Sequence, residues 1–161
     1  MNSYELKNLI TKIVGLRFTD VGWACNMLMF AFGDNGEEYA IHAQCFTRII
    51  KNGDILVTTF DWQSWDGEHD KNNDFLYNLK KFKSDIEGGI VLSVEVNSLF
   101  DLIITLDNGV IIQIFIDNSY PHYVEELEQY RFFEGEHNKT EEQENFPPHY
   151  VVYSKHIEVH G

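Results

Sequence analysis

The sequence predicts an α+β domain, mainly antiparallel β, built from a duplicated strand–hairpin–strand unit, with an N-terminal helix and one helix between the copies. Three observations carry this. Short apolar runs of alternating pattern, broken by Asn-Gly and other turn signals, fill most of the chain. Two segments instead show helical spacing. And one hairpin signature occurs twice: "MLMFAFGDNGEEYAI" (Met27–Ile41) and "LIITLDNGVIIQIFI" (Leu102–Ile116) align without a gap at an offset of 73 residues, Asp34-Asn35-Gly36 on Asp107-Asn108-Gly109.

Taken in order, Ser3 caps a short helix in which Leu6, Leu9, Ile10 and Ile13 fall at i, i+3, i+4 and i+7, and Gly15 stops it. "LRF" is a short strand, ended by the polar pair Thr19-Asp20, and residues near 24–32 and 37–45 form the first hairpin. "RIIKNGDILVTTFDW" (Arg48–Trp62) reads as strand, Asn-Gly turn, strand, and "DWQSWDGEHDKNND" as a polar loop. The linking helix spans about 74–87, capped by Asp74, with Phe75, Leu79, Phe82 and Ile86 on one face and Gly88-Gly89 as terminator. The strands "IVLSVEV", "LIITL" and "VIIQIFI" follow, then the hydrophilic "EGEHNKTEEQENFPP" and a last strand or pair of strands in "HYVVYSKHIEV". The whole is one domain, 1–161, with pseudo-repeats at about 14–62 and 90–159.

An Asn-Gly pair suits a two-residue type I′ turn, whose centres both need positive φ. That register pairs Asp107 with Val110, Leu106 with Ile111 and Thr105 with Ile112, and makes the second hairpin apolar on both faces, a core element. In the first copy Phe32 pairs with Tyr39, Phe30 with Ile41 and Met29 with His42.

Composition narrows the function. The net charge is −14, which argues against a nucleic-acid binder and against attraction to anionic membranes. The charge is lopsided: residues 1–83 hold 11 acidic and 9 basic side chains, residues 84–161 hold 15 and 3. No run of about 18 apolar residues exists for a membrane span, and the first residues lack a signal peptide's apolar stretch, so the expected compartment is the cytosol. Cys25 and Cys45 form no disulfide framework and are expected to be reduced and at least partly buried.

Catalytic and metal motifs are weak. None of the seven histidines sits in a zinc spacing. "DGEHDKNND" resembles the start of a calcium loop but has Lys71 where glycine and Tyr77 where glutamate belong. There is no nucleophile elbow and no phosphate loop. No cofactor or metal is expected, and no enzyme. Arg48 and Arg131 take matching places after the hairpins, as internal braces or as anion captors. Trp62 and Trp65 suit either a core edge or interface anchors. The most informative stretch is acidic: Glu125, Glu126, Glu128, Glu134, Glu136, Glu141, Glu142 and Glu144, with Tyr123 and Tyr130 interleaved. Acidic rim plus aromatic anchors is the composition of a surface that grips a basic protein.

"LIITLDNGVIIQIF", followed by Ser119, Glu126/Glu128 and "YRFF", resembles the C-terminal half of small bacterial immunity-type domains of polymorphic-toxin and contact-dependent inhibition systems. "EYAIHAQCFTRI" and then "DILVTTFD", ending at Asp61, resemble their N-terminal half. The resemblance covers about two-thirds of the chain and implies neutralisation of a cognate toxin rather than catalysis. The expected partner is a cationic toxin domain of nuclease type, met by the acidic surface. A second expectation is a small-ligand-binding or enzymatic β-domain using His42 with Arg48 or Arg131 in a pocket between the copies. A third is a scaffold without a defined ligand.

Overall fold

The computed structural model describes residues 1–34, 38–69, 72–135 and 147–161. Helix α1 (Ser3–Ile10) is capped one residue earlier than expected, by Asn2. The Asn2 side chain accepts from the Glu5 amide at 3.0 Å and the Glu5 carboxylate accepts from the Asn2 amide at 2.8 Å, a reciprocal capping box. Helix α2 (Asp74–Ile86) is likewise capped by Asn73 rather than Asp74, and buries Phe75, Leu79 and Ile86.

The rest is two antiparallel sheets. Strands β1 (Phe18–Ala24), β2 (Met27–Phe32), β3 (Tyr39–Ala43), β9 (Tyr130–Glu134), β10 (His149–Val152) and β11 (Ile157–His160) make a six-stranded sheet in that order. Strands β5 (Asp54–Thr58), β4 (Phe46–Lys51), β8 (Val110–Phe115), β7 (Leu102–Leu106) and β6 (Val91–Val96) make a five-stranded one. Their inner faces share one core, which includes Phe30, Ile41 and Phe132 from the first sheet and Ile49, Ile104 and Ile112 from the second.

The strands are exchanged between the sheets. β1–β3 stay together and β4–β5 cross over; β6–β8 stay together and β9–β11 cross back. Hence β3 pairs with β9 and β8 with β4. Where the halves meet, Arg17 and Ile90 form an antiparallel bridge, and they stand 73 residues apart. Around it Phe18 donates to Gly89 and Val91 to Leu16, while Gly88 donates to Phe18 and Gly15 to Val91. Moving each residue by 73 turns the first bond of each pair into the second, as an internal two-fold axis requires. Gly15 and Gly88 are related in the same way, with φ of +87° and +91° that only glycine adopts without strain.

Asn-Gly is used in two different turns. Asn52-Gly53, with φ of +53° and +90°, makes the two-residue type I′ turn between Lys51 and Asp54. In the second hairpin Gly109 alone has positive φ, +83°, so the loop takes three residues. Pairing is then Thr105 with Ile111 and Ile104 with Ile112, one residue from the expected register. Such a slip moves side chains between faces. Leu102, Ile104, Leu106, Val110, Ile112 and Ile114 are buried, whereas Ile103, Ile111 and Phe115 lie on the half-exposed outer face. The second hairpin is therefore buried on one face, not on both. The first hairpin keeps the expected pairs Phe32–Tyr39, Phe30–Ile41 and Met29–His42, while Asn35 and Gly36 lie outside the described residues.

Strand β1 runs straight through Thr19-Asp20, where a break was expected, because a bulge between Phe18 and Asp20 interrupts the alternation there. The residue pair that turns it into β2 is Cys25-Asn26, at φ +49° and +63° without a glycine. The two arginines are not equivalent either. Arg131 stands opposite His42, and the residue 73 beyond His42 is Phe115, which stands opposite Phe46 rather than Arg48.

Candidate functional site

Both crossings between the sheets meet at one end of the molecule. β3 reaches β4 through Gln44-Cys45 alone, whereas β8 reaches β9 through residues 116–129. Gln129, buried, joins them. Its carbonyl accepts from the amides of Gln44 at 2.8 Å and Cys45 at 3.2 Å, and its own amide donates to Val152 at 2.9 Å. Its side chain accepts from the Asp117 amide at 3.1 Å and donates to the Leu127 carbonyl at 3.2 Å. Nothing in the sequence distinguishes this glutamine from any other in an acidic stretch.

The long crossing has an inward and an outward side. Facing out are Tyr120, Tyr123, Val124 and Leu127, which keep 59%, 93%, 71% and 61% of their surface exposed, with Glu125 exposed among them. Facing in are Glu126, which accepts from Ser154 at 3.0 Å and pairs with His156 at 3.3 Å, and Glu128, which takes Arg131 in a forked pair at 2.6 and 3.2 Å. These two carboxylate side chains are 15% exposed. Glu134 is held by Lys12 at 2.5 Å.

Of the residues expected at a partner surface, Tyr123 and Glu125 are therefore free to meet one. Glu126, Glu128 and Glu134 serve internal pairs. Tyr130 is a core residue: it is fully buried and its hydroxyl donates to the Phe100 carbonyl at 2.7 Å. Burial pushes its phenol well above the ordinary range. Glu136, Glu141, Glu142 and Glu144 lie outside the described residues.

The trio His42, Arg48 and Arg131 is only partly brought together. His42 and Arg131 are cross-strand neighbours on the outer face of the six-stranded sheet, with the His42 ring edge-on to Phe133 at 4.6 Å. Burial and then the Arg131 charge lower the His42 pKa. Arg48 lies on the outer face of the other sheet, across the core, where it donates to Gln113 and its guanidinium sits 5.3 Å from the centre of the Phe115 ring. Both arginines act as braces, each with its own partner.

A cleft of about 340 Å³ opens beside the crossings. Trp23, Trp62, Phe46 and Phe60 form its walls, and Gln63 and Asp117 stand among its polar groups. The Trp23 and Trp62 rings lie 5.0 Å apart, and Phe75 of α2 packs against them at 4.5 and 5.8 Å. Trp65 leans on Trp62 at 5.0 Å. The tryptophans thus close a core edge and, through Trp62, also line the cleft. Asp117 is fixed there because its carboxylate accepts from the Phe46 amide at 2.7 Å. Cys45 borders the cleft, buried, while Cys25 is exposed in its turn rather than partly buried, and both are free thiols. Burial, then Asp117, raises the Cys45 pKa far above the ordinary thiol range.

Among the described residues no group of three or more His, Cys, Asp or Glu side chains could hold a metal ion. No helix among them is long and apolar enough to cross a membrane. The chain matches no family model, no curated protein and no solved structure. This end of the molecule presents a projecting apolar strip, an aromatic cleft and, at the cleft, the Asp117 carboxylate.

Proposed function

We propose that this chain is a non-catalytic protein-binding domain that grips a basic protein through the crossing of residues 116–129, and that it serves as an immunity protein against a cognate cationic toxin domain of nuclease type. The observation that carries the reading is the outward strip Tyr120, Tyr123, Val124 and Leu127. Large apolar side chains grouped in water on one long connection mark a surface that another protein covers. The charge of −14 selects a cationic partner and speeds the encounter. Because Glu126, Glu128 and Glu134 are paired internally, their charge acts through the field, and direct contact falls to Glu125, Asp117 and the apolar strip. The free thiols suit a reducing cytosol.

The test pairs the purified chain with the basic open reading frame encoded next to it. Replacing Tyr123 and Leu127 together by alanine is expected to weaken that complex by about 30-fold or more, the loss of a hot spot of about 2 kcal/mol. Protection of cells carrying the toxin should fall with it, and the association rate of the parent protein should drop as salt rises. A folded double variant that protects as well as its parent would sink the proposal.

A further inference from the structure

We infer that the aromatic cleft beside the crossings is a seat for a guanidinium group, and that it takes an arginine side chain of the bound basic protein. The choice of partner rests on the function proposed above; the choice of ligand chemistry rests on the cleft itself.

The volume of about 340 Å³ sits at the small end of ligand sites, suited to one long side chain rather than a whole cofactor. Two indoles and two phenyl rings supply the walls. The negative faces of such rings attract cations, indole most strongly. A planar guanidinium stacks on a flat ring in a way that a compact, strongly hydrated ammonium does not. Among the described residues the one charged side chain lining the cleft is Asp117, and no lysine, arginine or histidine of theirs stands in the lining to neutralise it. One Asp117 oxygen is engaged by the Phe46 amide, and among the described residues no protein donor reaches the other. That second oxygen is open to an incoming N–H. Gln44 and Gln63 stand in the same lining, and among the described residues no side-chain hydrogen bond occupies either amide. Burial first, and then Asp117, raises the pKa of the bordering Cys45 thiol, which leaves a neutral neighbour beside that carboxylate.

These features also exclude the other ligand classes. An anion would meet the Asp117 carboxylate head-on. A purely apolar group would strip water from that carboxylate and return no partner for it, a costly exchange. A guanidinium satisfies rings and carboxylate together, with a charge-assisted hydrogen bond.

The probe is Nα-acetyl-arginine amide, titrated into the full chain while the indole N–H resonances of Trp23 and Trp62 are followed by NMR. Nα-acetyl-citrulline amide has the same shape without the charge, and Nα-acetyl-lysine amide has the charge without the plane. The arginine amide is expected to shift both indoles, the lysine amide to bind about fivefold more weakly, and the citrulline amide to leave them in place. Asp117→Asn should weaken the arginine response about fivefold or more while the indole resonance of Trp65, outside the cleft lining, stays where it was. Trp62→Phe, which keeps a ring in the core edge, should weaken it less. Equal shifts with citrulline, an Asp117→Asn protein that binds like its parent, or no response of either indole at tens of millimolar would each overturn the assignment. No partner is needed, so the two proposals fail separately. If the arginine amide binds while the Tyr123/Leu127 variant still holds the toxin, the cleft stands and the partner surface falls. If no probe binds while that variant releases the toxin, the cleft alone falls.

Discussion

The two crossings carry the chain between the same two sheets, yet they share little beyond that task. Gln44-Cys45 makes the passage in two residues, while the return uses residues 116–129. A passage of two residues is evidently enough, so the surplus in the second answers to something other than connectivity. The surplus has two sides. Glu126, Glu128 and Gln129 fasten it to β9, β10, the β10–β11 turn and the short crossing. Tyr123, Val124 and Leu127 project into solvent, and Tyr120, also exposed, carries the Lys155 ammonium 4.7 Å from its ring centre. An internal two-fold builds a scaffold from like halves; a place where the described halves differ is a place to look for what the scaffold carries.

The sharpest way to break this comparison is to remove one tyrosine that projects from the long crossing and one just past its end, at the start of β9. Tyr130→Ala removes a fully buried ring and orphans the Phe100 carbonyl, and should cost about 3–5 kcal/mol in urea unfolding. Tyr123→Ala should change the same measurement by less than about 0.5 kcal/mol. If the two variants lose similar stability, the outward strip is structural and its proposed role disappears.

A subtler cut is Gln129→Leu. It keeps the backbone carbonyl that holds Gln44 and Cys45 but removes the side-chain bonds to Asp117 and Leu127. A loss of about 1–3 kcal/mol is expected. Amide hydrogen exchange should speed up at Asp117, whose bonding partner is gone, and stay slow at Cys45. Equal loosening at both crossings would mean that Gln129 acts as one undivided clamp.

Much of this scaffold could be read from residues, and the failures have physical causes. Helix positions followed from apolar spacing, but Ser3 and Asp74 each had an asparagine before them that caps better in place, which spacing cannot rank. The first hairpin's register followed from its alternation. The second hairpin misled because Asn-Gly is compatible with both a two-residue turn and a three-residue loop with glycine at its end, and one residue of difference exchanges the faces. Cys25-Asn26 gave no turn signal because its positive φ values are imposed by the paired strands rather than invited by glycine. At the candidate site the sequence displays every glutamate as charge. Glu134 meets Lys12 and Glu126 meets His156 across long stretches of chain, whereas Glu128 meets Arg131 only a turn's length on, and those contacts separate Glu125 from its neighbours.

The smallest effect tests how far the long crossing reaches. Glu128 leaves the crossing to grip Arg131, and Arg131 stands across the strand from His42 on the outer face of the six-stranded sheet. Burial first, and then Arg131, lower the pKa of both His42 and His149, with His160 adding to the effect on His149; Glu128 raises both. A histidine whose folded pKa lies below its unfolded value contributes its full stability above the unfolded pKa of about 6.5 and loses it as the pH falls toward the folded one. The protein should therefore lose stability on acidification below about pH 6.5, chiefly through half-buried His42, since solvent screens the more exposed His149. Glu128→Gln takes away the opposing charge, so both imidazoles should titrate at lower pH and the acid loss should deepen. Gln44→Ala, at the short crossing, should move neither. Imidazole NMR titrations of the three proteins decide it. A His42 midpoint that stays put or rises in Glu128→Gln would show that the long crossing braces Arg131 without tuning the face beyond it.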